Sequence, residues 1–299
     1  VTTIFYYGAA IGFYGGDVLK MKDDLAVLKP TLFVSVPRIY SKFYLKIKAG
    51  MDEATGCKKC LVGKACTTKL NNLKSDCSYT SGLWDAIVFK KTKAILGGNC
   101  TRMIVGSAPI SETIMDFMKI AMCCPFIEGY GQTESTGASF CTHDSDPKAG
   151  HVGGPICALE YKLEDVADMN YTSEDKDKDT KLPAPRGEVC IRGHAVFLGY
   201  YKDRSKTSET IDKDGWLHTG DVGTILPNGA LKIIDRKKNI FKLSQGEYVS
   251  PEKVENTYAR AKGVAEVFLH GESLQNYAMA IVVPDKDALM AIAKENNVQ

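Results

Sequence analysis

No apolar run reaches the roughly 18 residues needed to cross a bilayer as a helix, so nothing in the 299-residue sequence is a transmembrane candidate. Charge of one sign is equally scarce. The 38 Lys and Arg stand against 36 Asp and Glu, a formal charge of +2. So weak a net field gathers no phosphate backbone, which argues against nucleic acid as a partner. The opening, Val1-Thr2-Thr3-Ile4-Phe5-Tyr6-Tyr7, has neither an initiator Met nor the charged head of a signal peptide. The expectation is a chain whose beginning is missing. What is present is ordinary: 44% hydrophobic and 25% charged residues, enough apolar side chain to offset the entropy of folding.

Cysteine is not scarce, with ten in the chain. Cys57, Cys60, Cys66 and Cys77 could supply four thiolates to zinc, but the second half lacks the close pair of strong zinc motifs. The others (Cys100, Cys123, Cys124, Cys141, Cys157, Cys190) mostly sit inside apolar runs, as reduced core residues do. A reducing compartment fits best.

The first half reads as alternating strand and helix. Leu32–Val36 is a strand ended by Pro37, which has no N–H for a ladder. Residues 54–82 are polar, Lys-rich and without period, and read as an irregular insertion. Trp84–Leu96 reads as a helix stopped by Gly97-Gly98, and Met103–Val105 as a strand turned by Gly106–Pro109. Ser111 caps a helix with Ile114, Phe117, Met118, Ala121 and Met122 on one face. Phe126-Ile127 is a strand running into the glycine-rich loop Glu128–Glu134. That rhythm is an α/β sheet, whose ligands gather at the carboxyl ends of strands.

Beyond residue 150, Leu159–Leu163 and Gly187–Gly193 alternate as half-buried strands, separated by a solvated, charge-mixed loop at 165–185. Asn228-Gly229 marks a hairpin, Ser250-Pro251 a helix start, and Ala278–Val283 a last strand. Tyr6, Tyr7, Ile11 and Phe13 suit either an apolar tunnel or ordinary core packing.

Three clusters could carry chemistry. In 128–134 the glycines let backbone approach a ligand, Tyr130 offers a stacking face, and Thr133 with Glu134 suits a phosphate and its Mg²⁺. The same string also makes a tight surface turn. In Asp214–Asp221, the aspartate after Thr219-Gly220 can accept ribose hydroxyls, or close a hairpin turn. His218 reads as a packing residue beside Trp216. In Asp235–Asn239, with Lys242 and Gly246 following, the cations can neutralise phosphates or form an exposed connector.

Taken in order, Glu128-Gly-Tyr-Gly-Gln-Thr-Glu134, Trp216-Leu-His-Thr-Gly-Asp221 and the string Ile234–Glu255 resemble the adenylate-forming superfamily. Within the third string, Asp235-Arg-Lys-Lys238 and Lys242-Leu-Ser-Gln-Gly-Glu-Tyr-Val249 are most similar to the long-chain fatty acid–CoA ligases. Lys29–Arg38 and Gly106-Ser-Ala-Pro109 support the likeness, which covers nearly the whole chain outside 54–82 and the acidic loop. The resemblance implies an α/β fold: part of a large AMP-binding domain at 1–237, with an α/β sheet and a β-rich subdomain. A truncated small α+β lid domain at 238–299 would follow it.

It also implies two half-reactions. A fatty carboxylate attacks the α-phosphorus of ATP, giving acyl-AMP and pyrophosphate, and the thiol of coenzyme A then displaces AMP. Phosphoryl displacement of this kind rests on positioning and charge neutralisation, so no covalent side-chain nucleophile is expected. By the same resemblance, Gly106, Ser107, Ala108 and Pro109 border the adenine and the acyl carbonyl. Tyr130 stacks on adenine, while Glu128, Gly129, Gly131, Gln132 and Ile233 complete the nucleotide wall. Thr133 and Glu134 are the catalytic candidates, at the α-phosphate and at Mg²⁺. Asp221 holds the ribose hydroxyls with Arg236 assisting. Lys238 is the hinge, and Lys242 and Gly246 face coenzyme A.

The partners implied are fatty acid, ATP and coenzyme A, with membrane attachment only through an absent N-terminus. The place is the cytosol, or the cytosolic face of the endoplasmic reticulum, mitochondrial outer membrane or peroxisome. A non-catalytic nucleotide-binding relative and a ligase for another carboxylic acid are the alternatives. Two family parts are not found: the Ser/Thr/Gly-rich phosphate loop expected before residue 1, and the adenylation lysine expected beyond Gln299. The purified 299-residue chain is therefore expected to show no ATP- and coenzyme A-dependent turnover of fatty acid. Robust turnover in a thioester-formation assay would refute this.

Overall fold

The computed structural model describes all residues except Val1, Val18–Leu19, Lys178–Asp179, Gly246–Glu247, Lys262, Ser273–Leu274 and 296–299, and the side chains of Thr2, Thr3, Asp287 and Glu295. The chain divides into two compact units, Val1–Gly129 with Thr142–Gly150 and Tyr130–Cys141 with His151–Gln299.

In the first unit, β1 (Leu32–Ser35) pairs in parallel with β2 (Arg102–Val105), and β2 with the first residues of β3 (Phe126–Gln132). Tyr40 is fully buried, and its hydroxyl donates to Phe33 O (2.9 Å) and Ile104 O (3.0 Å), tying β1 to β2. The Glu112–Met122 helix buries Ile114, Phe117, Met118, Ala121 and Met122, the face its spacing predicts. Ser111 stands at its N-cap but makes no side-chain cap hydrogen bond. The helical run from Gly82 to Leu96 is broken by a π-turn at Asp85–Phe89, whereas an uninterrupted helix was the expectation.

Residues 54–82 correct the sequence reading. Gly56–Asp76 is a helix of 21 residues. Its buried positions are Ala65, Lys69 and Leu73, a narrow i, i+4, i+8 stripe with a lysine at its centre, so no apolar period shows. Lys69 Nζ donates to Asp85 Oδ1 (2.5 Å) and Ile120 O (2.7 Å), and lies over the Phe89 ring at 4.5 Å. Cys57 and Cys60 are exposed on this helix. Tyr6, Tyr7 and Phe13 are exposed as well and Ile11 is half-buried, so they do not form the core that was one of their two readings.

In the second unit, β4 (Gly137–Cys141) pairs antiparallel with β5 (Gly154–Pro155). A four-stranded antiparallel sheet follows in the order β6 (Leu159–Glu164), β7 (Arg186–Gly193), β8 (Leu217–Ile225), β9 (Leu231–Arg236). Alternation puts Val189 and Ile191 of β7 into a core with Phe140, Leu217 and Leu231. Gly229, at φ +80°, lets the Asn228-Gly229 turn close β8 onto β9 as expected. Ribbons β10 (Phe241–Lys242) with β11 (Tyr248–Val249) and β12 (Val264–His270) with β13 (Met279–Pro284) flank the Pro251–Tyr258 helix in sequence. Cys141 and Cys157 are exposed, against the expected core placement: Cys141 is the last residue of β4 and Cys157 lies in a turn.

The buried ion pair yields a test. Lys69→Ala leaves the carboxylate of Asp85 and the carbonyl of Ile120 without their cation, and is expected to cost about 3–5 kcal/mol in urea unfolding. A loss under about 1 kcal/mol, the size of an exposed pair, contradicts the assignment.

Candidate functional site

The Glu128–Glu134 stretch is less a loop than the sequence reading supposed. β3 continues to Gln132, and a single 3₁₀ turn, Thr133–Ser135, follows. Gly131 is required there, since a Cβ would lie 1.7 Å from Gly137 O. Ser135 Oγ fixes the turn by accepting from Gln132 N at 3.1 Å. Thr133 is left exposed at its tip.

Strand pairing brings the other clusters to Tyr130. Asp221 of β8 and Arg236 of β9 are register partners. The Tyr130 hydroxyl donates to Asp221 Oδ2 (2.7 Å), and Arg236 Nε stands 3.7 Å from Asp221 Oδ1. Burial pushes the Asp221 carboxyl up, and the Tyr130 phenol is likewise raised, first by burial and then by the Asp221 charge. This carboxylate is a dear group to bury, and it is held in place by one hydroxyl and one guanidinium.

The Thr219-Gly220 turn is pinned just as closely. Thr219 Oγ1 donates to Val189 O (2.7 Å) and accepts from Asp221 N (3.1 Å). Gly220, at φ +72°, donates its N–H to Glu188 Oε1 (3.1 Å), whose Oε2 accepts from Lys237 Nζ (3.0 Å). Sequence reasoning missed Glu188, a strand residue 32 positions away with no motif around it.

Glu134 is also positioned. Tyr200 donates its hydroxyl to Oε1 (2.7 Å), and Phe197 N donates to Glu134 O (2.8 Å). Beside it lies a cavity of about 280 Å³, bordered by Glu134, Glu188, Glu209, Tyr200, Gln132, Thr210 and His218–Gly220. The three carboxylates among these residues fit the hard-donor preference of Mg²⁺.

The remaining expected residues distribute as follows. Gly106–Pro109 turns the chain after β2, with Ser107 at φ +74°, and a Cβ on Gly106 would lie 3.3 Å from Gly129 O. Glu128 is buried, its N–H donating to Thr142 Oγ1 at 2.9 Å. These belong to the first unit, whereas Tyr130, Glu134, Asp221 and Arg236 belong to the second. Ile233 is half-buried in β9 and packs against the second core. Lys238 is exposed in the turn after β9, and Lys242 Nζ lies 5.1 Å from the Tyr248 ring centre. Gly246 lies outside the described residues.

A family model described as AMP-binding enzyme matches residues 1–201. The chain belongs to the AMP-binding enzyme family. Over 296 residues it is 48% identical to long-chain-fatty-acid–CoA ligase 5 of Mus musculus, covering 99% of this chain and 42% of that protein. It is 47% identical over 294 residues to the peroxisomal long chain acyl-CoA synthetase 6 of Arabidopsis thaliana, covering 98% and 41%. The chain thus spans about two fifths of the length of these relatives. Among solved structures, it matches the A domain of carboxylic acid reductase from Segniliparus rugosus, in complex with AMP and a co-purified carboxylic acid. The TM-score is 0.70 at 28% identity, covering 96% of this chain and 42% of that one. The α/β class expected from the sequence is the class observed.

The segment after Arg236 is anchored by another carboxylate, this one fully buried. Asp235 is fully buried and accepts from Arg236 N (2.7 Å), Ser250 Oγ (2.5 Å) and Glu252 N (3.2 Å). Ser250 stands at the N-cap of the Pro251–Tyr258 helix, but its hydroxyl serves Asp235 instead of the helix. Burial, and next the Asp235 charge, push the Glu252 carboxyl from its ordinary 4.5 up to about 7. The folded state therefore holds this proton more tightly than the unfolded chain. Its contribution is complete below about pH 4.5 and is lost as pH rises through about 7. A shift of this size is worth about 3 kcal/mol when fully buried, and solvent screening of a half-buried group reduces it to about 1. Glu252→Gln is expected to raise the thermal midpoint at pH 8 and leave it nearly unchanged at pH 4.5. Equal effects at both pH values contradict the shift.

Proposed function

We propose that this chain supplies the nucleotide-gripping portion of an ATP-dependent ligase that joins a long-chain fatty acid to coenzyme A through an acyl-adenylate. The observation that carries the reading is the Tyr130–Asp221–Arg236 cluster, in which two strands and a glycine-flanked tyrosine present one oriented carboxylate. Its support is the family match and the names of the relatives, both long-chain acyl–CoA ligases.

In this reading Asp221 accepts the ribose hydroxyls, and Arg236 adds a donor at ribose or phosphate. Tyr130 offers its ring to adenine while its hydroxyl stays on Asp221, so ring and carboxylate are set together. Thr133, exposed at the turn, donates to the α-phosphate, and Gly106–Pro109 borders the adenine and the acyl carbonyl. Glu128, Gly129, Gly131, Gln132 and Ile233 complete the wall. Glu134, oriented by Tyr200, would hold Mg²⁺, which supplies charge neutralisation at the phosphates. Lys238 is the hinge at a 237/238 boundary between AMP-binding and lid domains, and Lys242 with Gly246 faces coenzyme A.

Fatty acid, ATP and coenzyme A are the partners, and nucleic acid is not among them. We place the protein in the cytosol or on the cytosolic face of the endoplasmic reticulum, mitochondrial outer membrane or peroxisome. Among the described residues no helix is long and apolar enough to cross a membrane.

The test is pyrophosphate exchange, run in a chain of the relatives' length with carboxylic acids of graded size. Exchange is expected to be supported best by long-chain acids, and Asp221→Asn is expected to raise the Kd for AMP roughly 10–100-fold, the weight of hydrogen bonds to a charged group. Preference for aromatic or short acids would overturn the substrate class. Unchanged AMP affinity in Asp221→Asn would overturn the ribose assignment.

A further inference from the structure

On the face of the second unit's sheet opposite its hydrophobic core, three potential ligands stand together. Cys190 of β7 and His218 of β8 are register partners, as are Cys190 and Lys162 of β6. Glu164 follows Lys162 by two residues and so shares its face. Cys190 Sγ lies 3.5 Å from His218 Nδ1 and 3.9 Å from Glu164 Oε2. All three donor atoms lie within 4.8 Å of one another, the one such group among the described residues.

We propose that Cys190, His218 and Glu164 form a site for a divalent cation of the zinc class, with Asp212 orienting the histidine. Metal–sulfur and metal–nitrogen bonds of about 2.3 and 2.0–2.1 Å at a tetrahedral angle require an S···N separation of about 3.5 Å. The observed pair already has it. The S···O separation has to close by only a few tenths of an ångström to meet the same geometry.

The surroundings match a ligating histidine. A metal-bound imidazole nearly always gives its other ring N–H to a carboxylate, a backbone carbonyl or water. His218 Nε2 faces Asp212 Oδ2 at 3.5 Å. Asp212 is itself fixed, since its Oδ1 accepts from Asp214 N and Trp216 N, both at 2.9 Å. Cys190 is completely buried, which excludes a substrate-attacking thiol, whereas Glu164 is exposed and His218 half-buried, leaving an ion an approach from solvent. On binding, the Cys190 proton leaves to solvent and sulfur ligates as thiolate. Lys162 Nζ, 3.0 Å from Glu164 Oε2, shares that carboxylate and gives way to the ion or neutralises the remaining oxygen. A mixed S, N, O set favours zinc-class ions over Mg²⁺, although His218 also borders the carboxylate-rich cavity at Glu134.

The test is Co²⁺ titration of the 299-residue chain, read by thiolate-to-cobalt charge-transfer absorption, in a Cys57→Ser/Cys60→Ser/Cys141→Ser/Cys157→Ser background that removes the four exposed thiols. One equivalent is expected to bind with that band, and Zn²⁺ to displace it. Cys190→Ser is expected to abolish the band. Glu164→Gln and Asp212→Asn are expected to weaken binding roughly 10–100-fold while circular dichroism stays unchanged. Glu164 is exposed, so its variant reports even where Cys190→Ser disturbs folding. Absence of the band, or a band that survives both Cys190→Ser and Glu164→Gln, overturns the proposal. AMP affinity has no part in this readout, so failure here is distinct from failure of the ligase reading.

Discussion

A largely desolvated carboxylate has to be compensated, and the second unit is organised around doing so at Asp221. Its two oxygens face a tyrosine hydroxyl from β3 and a guanidinium from β9. Neither partner would reach it without the register that sets Asp221 opposite Arg236, or without the glycine at 131 that lets β3 press against the 137–139 backbone. The geometry of one charge thus constrains three strands.

Around that charge the polar groups are paired in sequence. Thr219 and Gly220 are held by Val189 O and by Glu188, and Glu188 by Lys237. Asp235, one residue before Arg236, is satisfied by Ser250 and by the start of the Pro251–Tyr258 helix. Fully satisfied polar networks of this sort rigidify a site, because each lost partner strands a desolvated group. In the proposed reading, where this turn presents a carboxylate to ribose, that rigidity helps binding, since preorganised groups lose little freedom.

Much of this was legible in the residues. Period-two alternation marked β6 and β7, the Asn228-Gly229 pair marked the β8–β9 hairpin, and the spacing of Ile114 to Met122 marked a core face. The three chemical strings were visible because glycine, acid and base stand in short fixed order. What escaped was long-range. Lys69 hid a helix, because a lysine on a buried stripe looks like surface until Asp85 and Ile120 O are known to meet it. Glu188 and Tyr200 act on Gly220 and Glu134 from other strands and turns. Ser111 and Ser250 sat where caps belong, yet neither side chain caps its helix. For Ser250 the reason is that Asp235, the stronger acceptor, takes the Glu252 N–H in its place.

The most direct measurement is a crystal structure of the chain soaked with AMP. The account predicts the ribose hydroxyls on the carboxylate of Asp221, with the Tyr130 hydroxyl still bonded to it and the adenine against the tyrosine ring. Nucleotide bound elsewhere, or bound with its ribose away from Asp221, would contradict it.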